Sequence, residues 1–155
     1  MKLHLIRHGK AEQGTIETTD INRKLSTKGI KQTTQLGNYL TKLNDIEVWC
    51  SDAIRTRETL FSIQKSCQFS NVNYFFDLYL CSKVDLLSLL WKRKSEEDLI
   101  IIGHNFGISD LLSYFADTPL EMRTSEYYCL DFGNLARNET SQGTGSIVDY
   151  YRPQV

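Results

Sequence analysis

The sequence predicts an α/β protein: a three-layer α/β/α sandwich around a mainly parallel sheet, with an antiparallel strand at one edge. Three observations predict it. Short apolar runs alternate with stretches of helical periodicity along the chain. The run Leu99-Ile100-Ile101-Ile102 is unbroken, which suits a strand covered on both faces. The last two strand-like runs, 127–132 and 146–151, have no helix between them, so they should pair antiparallel.

Residues 2–6 form a compact apolar run and read as the first strand. A loop of 15 residues, 10–24, follows without periodicity; loops that long in a compact domain usually carry function, so this one should flank the site and touch substrate. Residues 27–43 place Leu36, Leu40 and Leu43 at i, i+4 and i+7, with Ser26 or Thr27 as the helix cap. Residues 46–50 alternate as a strand. Residues 53–67 put Leu60, Ile63 and Cys67 on one helical face. A strand at 72–76 and a helix at 83–92, through Val84, Leu87 and Trp91, come next. After the strand 99–102, Ile108, Leu111, Leu112 and Phe115 mark the clearest helix of the chain. The Asn/Thr/Ser/Gly-rich stretch 133–145 reads as a loop.

The length of 155 residues suits one domain, 1–155, with a core that needs no staples. Eighteen Lys and Arg against nineteen Asp and Glu leave a net charge of −1, which argues against a nucleic-acid partner. No window approaches the roughly 20 apolar residues that span a bilayer, and the apolar start is too short for a signal peptide. A cytoplasmic protein is expected. Cys50, Cys67, Cys81 and Cys129 lack C-x-x-C spacing and read as small core hydrophobes. The sequon at Asn138 carries no weight in such a compartment.

Ligands of open α/β sheets bind beyond the carboxyl ends of the strands. Arg7-His8-Gly9 follow the first strand, Ser51-Asp52-Ala53-Ile54-Arg55 the second, and Gly103-His104-Asn105 the strand 99–102. Guanidinium groups bind phosphate oxygens bidentately. Helices starting near Asp52 and Asn105 add amide donors for an anion. A neutral imidazole can attack phosphorus, and a protonated one can stabilise the charge that develops. Blander roles fit other residues. Mid-strand His4 reads as a core polar group, Arg57 as surface, and Lys92-Arg93-Lys94 with Glu96-Glu97-Asp98 as a solvated turn.

These residues carry a family resemblance. Leu5-Ile6-Arg7-His8-Gly9-Lys10-Ala11-Glu12 resembles the opening of the histidine phosphatase superfamily, which includes the phosphoglycerate mutases. Asp20 to Gly29 resembles its D-x-x-R-P-L-[ST]-x-x-G segment, with Lys24 in place of Pro. Ser51 to Thr59 resembles S-[PD]-x-x-R-[AT]-x-[QE]-T. Leu78-Tyr79 with Ser82 resembles L-Y-x-A-S, with Cys81 in place of Ala. Gly103-His104-Asn105 resembles the second-histidine segment, with Phe106 where Pro is common. The pattern runs from residue 2 to about 115 and is similar to the short bacterial phosphohistidine phosphatases.

The resemblance implies that His8 is the nucleophile of a phosphohistidine intermediate, with Arg7, Arg55 and His104 around the phosphoryl group. Gly9, Asn105 and Arg23 complete the expected substrate-binding set, Arg23 more as a loop anchor. No metal and no cofactor are implied, and no oligomeric state is assigned. Longer members use a carboxylate to protonate an alcohol leaving group. Asp77, after the third strand, is the expected general acid, with Asp52 (otherwise a helix cap) and Glu12 as fallbacks. A phosphohistidine substrate reduces the need for any acid, because a protonated imidazole leaves readily. The expected substrate is a phosphorylated protein, through its phosphohistidine. A small phosphorylated metabolite is the second reading, and a non-catalytic phosphate-binding adaptor the third. The short span from Arg55 to Gly103 leaves no room for a large specificity cap.

Overall fold

The structure, a computed structural model, describes residues 1–155. Strands β1 (Lys2–Arg7), β2 (Glu47–Ser51), β3 (Asn71–Phe75), β4 (Leu99–Gly103), β5 (Tyr127–Asp131) and β6 (Ser146–Tyr151) form one sheet in the order β3-β2-β4-β1-β5-β6. β1 to β4 run parallel; β5 lies antiparallel to β1, and β6 antiparallel to β5. The alternation in the sequence therefore translates into the expected sandwich, with the antiparallel pair at one edge.

Four helices cover the sheet: α1 (Thr27–Tyr39), α2 (Ile54–Ile63), α3 (Lys83–Lys92) and α4 (Gly107–Ala116). The period of two in the strands decides which residue faces which pair. Leu3, Leu5, Leu99 and Ile101 pack with Leu86, Leu87 and Leu90 of α3 and with Ile108, Leu111 and Leu112 of α4. Ile6, Ile100 and Ile102 pack on the other face with Leu36 of α1 and with Leu60 and Ile63 of α2. All four residues of the run 99–102 are buried, each contributing roughly 1.5–3 kcal/mol of transfer free energy.

Three local expectations differ from the structure. The helix expected over 53–67 spans only Ile54–Ile63. The first helix stops at Tyr39 rather than running to residue 43. Asn44 Nδ2 donates to the Thr41 carbonyl (3.0 Å), and Asp45 adopts a left-handed φ of 59°. Such short-range side-chain bonds compete with helix. The turn 92–98 is not merely solvated. Arg93, nearly buried, donates to Glu47 Oε2 (2.7 Å) and to the carbonyls of Ser95 and Glu97. Buried Arg137, in a short turn of the 133–145 loop, donates to the same two carbonyls.

The loop 10–24 is tied at both ends. Ser26 donates backbone N–H (2.8 Å) and Oγ (2.9 Å) to the Lys10 carbonyl, and Glu12 N–H bonds the Lys24 carbonyl at 2.9 Å. Gly29 permits this closure, since a Cβ there would lie 2.1 Å from the Lys10 carbonyl oxygen. The loop thus leaves β1 and returns beside its exit point.

Candidate active site

β2, β4 and β1 are neighbours in the sheet, so the residues that follow them emerge on one edge. His8 leaves β1 with its N–H on the Gly103 carbonyl at the end of β4 (3.2 Å). Its Nδ1 donates to the Gly9 carbonyl at 2.7 Å. A carbonyl can only accept, so the proton sits on Nδ1 and the lone pair on Nε2. Burial pulls the His8 pKa down to about 3, against the Gly9 bond; Arg55, Arg7 and Arg23 lower it further. His8 is therefore neutral and nucleophilic at neutral pH.

Gly9 holds this arrangement through its backbone. Its N–H donates to Thr59 Oγ1 (3.0 Å), whose own proton goes to the Arg55 carbonyl (2.7 Å). A Cβ on Gly9 would meet Thr33 Cγ2 at 2.7 Å. The Gly9 amide is thus spent on Thr59 and positions His8. Glu58 acts similarly, accepting from the Leu25 N–H at 2.7 Å.

Arg55, 3% exposed, brings Nε to 3.3 Å from His8 Nε2. Its Nη1 donates to the Asp20 carbonyl (2.6 Å), and its Nη2 to Asp20 Oδ2 (3.0 Å). Arg7 Nη1 donates to the Met122 carbonyl at 2.7 Å. The Asn105 amide donates to that same carbonyl (3.0 Å) and accepts from Ser109 Oγ (2.6 Å). Both ends of the Asn105 side chain are engaged inside the chain, which fixes its position at the strand exit.

The His104 ring stands 5.0 Å from that of His8, with Nε2 and Ser51 Oγ 2.7 Å apart. Burial first, then His8 and Arg55, lower its pKa to about 3. His104 is thus neutral before substrate binds; an incoming phosphoryl dianion shifts it toward the charged form. Its Nδ1 is buried without a partner, as is Arg7 Nε. Arg7 lines a cavity with His8, whereas His104 lies behind it and is not part of the lining.

Two site residues escaped the sequence reading. Asp20 takes Arg55 on Oδ2, Arg23 on Oδ1 (2.9 Å) and the Tyr79 hydroxyl on Oδ2 (2.5 Å). Tyr79 stands edge-on to His104 at 5.5 Å. The Tyr79 bond, with Arg23 and Arg55, holds Asp20 well below the usual carboxylate range. Both lie inside segments read as family motifs, but motif membership attaches no role. Arg23 also donates Nε to the Glu12 carbonyl (2.8 Å) and so anchors the loop while lining the site.

Arg7, His8, Lys10, Asp20, Arg23 and Arg55 surround a cavity of about 290 Å³. Its only carboxylate is Asp20. Asp77 is absent from it: exposed in the turn after β3, it lines a different cavity with Asp85, Ser88 and Leu89. Asp52 neither reaches the site nor caps α2; it pairs with Arg57, whose guanidinium lies 4.0 Å over the Tyr74 ring. Glu12 is exposed and does not line the cavity. His4 sits in the core with Nδ1 2.9 Å from the Tyr127 hydroxyl. Nowhere do three His, Cys, Asp or Glu side chains gather as a metal-ligating group.

Residues 3–74 match the model of the histidine phosphatase superfamily (branch 1). An uncharacterised chloroplastic protein of Arabidopsis thaliana is 26% identical over 147 residues, covering 86% of this chain and 67% of its own. The fold is similar to that of a protein histidine phosphatase, SixA, solved with tungstate: TM-score 0.81, 19% identity, 98% of this chain and 97% of the other. It is also similar to a phosphoserine phosphatase from Entamoeba histolytica, with TM-score 0.68, 14% identity and 96% and 95% coverage.

Proposed function

We propose that the chain is a member of the histidine phosphatase superfamily (branch 1), whose model matches residues 3–74, and that it removes the phosphoryl group from protein phosphohistidine without a metal, through an intermediate on His8. One observation carries the choice of substrate. The catalytic cavity holds no carboxyl group able to give a proton: Asp20 is its only carboxylate, and three donors keep it ionised. An alcohol leaving group needs such a proton, whereas an imidazole protonated on its second nitrogen leaves as a neutral base.

In this reading the His8 Nε2 lone pair forms a bond to phosphorus as the substrate P–N bond breaks. The bonding pair goes to the departing imidazole. Arg7, Arg55 and, once protonated, His104 take the phosphoryl oxygens, so catalysis is positioning and charge stabilisation. Arg55 moves as substrate binds, because its Nε–H occupies the His8 Nε2 lone pair (3.3 Å) and its Nη2 is held by the Asp20 carboxylate. Water then attacks phosphorus, the N–P pair returns to His8, and phosphate departs. A reducing, cytosolic setting belongs to the same reading, supported by four unbridged cysteines.

The test is a substrate panel without added metal: a phosphohistidine-bearing carrier protein, para-nitrophenyl phosphate and several sugar phosphates. Turnover of the carrier protein should exceed that of the sugar phosphates by about 100-fold or more in kcat/KM. A sugar phosphate that is turned over faster overturns the substrate assignment.

A further inference from the structure

A second cavity of about 240 Å³ adjoins the catalytic one, and Lys10 and Thr124 line both. Lys28, Arg123 and Arg152 supply three more cations; the last residue, Val155, also lines it, and no acidic side chain does. Only Arg152 has a carboxylate in reach, Glu126 at 3.6 Å; Lys10, Lys28 and Arg123 make no ion pair. Such a group of unpaired cations in a chain of net charge −1 is not explained by overall composition.

A neutral donor sits at the same place. Gln32, only 7% exposed, lines this cavity. Its Oε1 accepts from the Lys10 N–H (3.0 Å), while its Nε2 donates to no group of the protein. With Oε1 fixed by Lys10, the NH₂ group makes no bond within the chain and is accessible to a ligand in the cavity.

From this geometry we infer that the cavity is a second anion subsite, binding an acidic group that the substrate carries beside its phosphoryl group. The inference rests on the phosphoryl site proposed above. The shared chemistry is a carboxylate or second phosphate, carried either by an acidic side chain next to the phosphorylated residue of a protein or by a small metabolite. Lys10 stands between the two cavities, so both anions of one ligand fall within its reach.

The test is calorimetric and needs no turnover. One arm compares 3-phosphonopropionate with propylphosphonate, which differ by one carboxylate. The other compares two peptides with a non-hydrolysable phosphonate mimic of phosphohistidine, flanked by glutamates or by glutamines. In at least one arm the extra acid should tighten binding about tenfold at low salt, and the gain should shrink at high salt. The arm that shows it names the source. In the double variant Lys28→Ala/Arg123→Ala the ratio within that pair should fall toward one. Because the salt series uses the unaltered protein, the test stands even if the variant folds poorly. Equal binding within both pairs, or a ratio that survives high salt or the double substitution, overturns the subsite. If no phosphonate binds at all, the phosphoryl site falls with it.

Discussion

The carboxyl ends of β1, β2 and β4 and that of β3 differ in what they deliver. The first three strands are adjacent, and they bring His8, Arg55 and His104 into one buried group. β3 is the edge strand. Its end lies three strand spacings from β1, about 14 Å at roughly 4.8 Å each. Asp77 follows it and turns to Asp85, Ser88 and Leu89 instead of His8. Following a strand is therefore not enough; strand order decides which ends share a site. The central ends also enclose their charges, whereas the edge leaves its carboxylate in water.

Substitutions can break or sharpen that contrast. Arg55→Ala removes a buried cation beside the His8 lone pair, and kcat on para-nitrophenyl phosphate should fall by about 100- to 1,000-fold. A loss under fivefold would mean that Arg55 does not meet the transition state.

The next effect is on stability. Burial lowers His8 and His104 to about 3 and His4 to about 4, against 6.5 for an ordinary imidazole. As pH falls, the unfolded chain takes up these protons first. Stability is full above about pH 6.5 and is lost progressively toward pH 3, by several kcal/mol in all. Urea unfolding at pH 7, 6, 5 and 4 should show the midpoint falling steadily. A midpoint unchanged down to pH 5 contradicts the neutral, buried imidazoles.

Smaller effects separate the two carboxylates. Asp20→Asn keeps an acceptor for Arg55 and removes a charge that repels oxoanions. Tungstate inhibition should tighten severalfold, and weaker inhibition would show that the carboxylate is needed to hold the guanidinium. Asp77→Asn should leave kcat within about twofold on esters and phosphoramidates alike, because the group is exposed and outside the cavity. A drop confined to the ester would restore it as the general acid.

The legible part of this protein was its periodicity and the chemistry at strand ends. The run 99–102 announces a central strand because covering both faces requires apolar residues at every position. Arg7, His8, Arg55 and His104 could be grouped because parallel strands put their ends on one side. The neighbours of each strand end were not legible: strand order depends on long-range pairing that no local pattern encodes. Hence the misplacement of Asp77 and the missed bond between Asp20 and Arg55, 35 residues apart. Asn105 and Gly9 follow their strands as expected, but Met122, Ser109 and Thr59 already hold the Asn105 side chain and the Gly9 amide. Only the folded chain reveals which donors remain free.

The central claim is that His8 Nε2, with its proton held on Nδ1 by Gly9, attacks phosphorus. Rapid quenching of the enzyme with a ³²P-labelled phosphohistidine protein measures it most directly. The account predicts an acid-labile, alkali-stable phosphoenzyme on His8 that forms before phosphate is released and is absent from His8→Ala, whose turnover falls by about 10,000-fold or more. Undiminished turnover by His8→Ala, or label trapped on another residue, would contradict it.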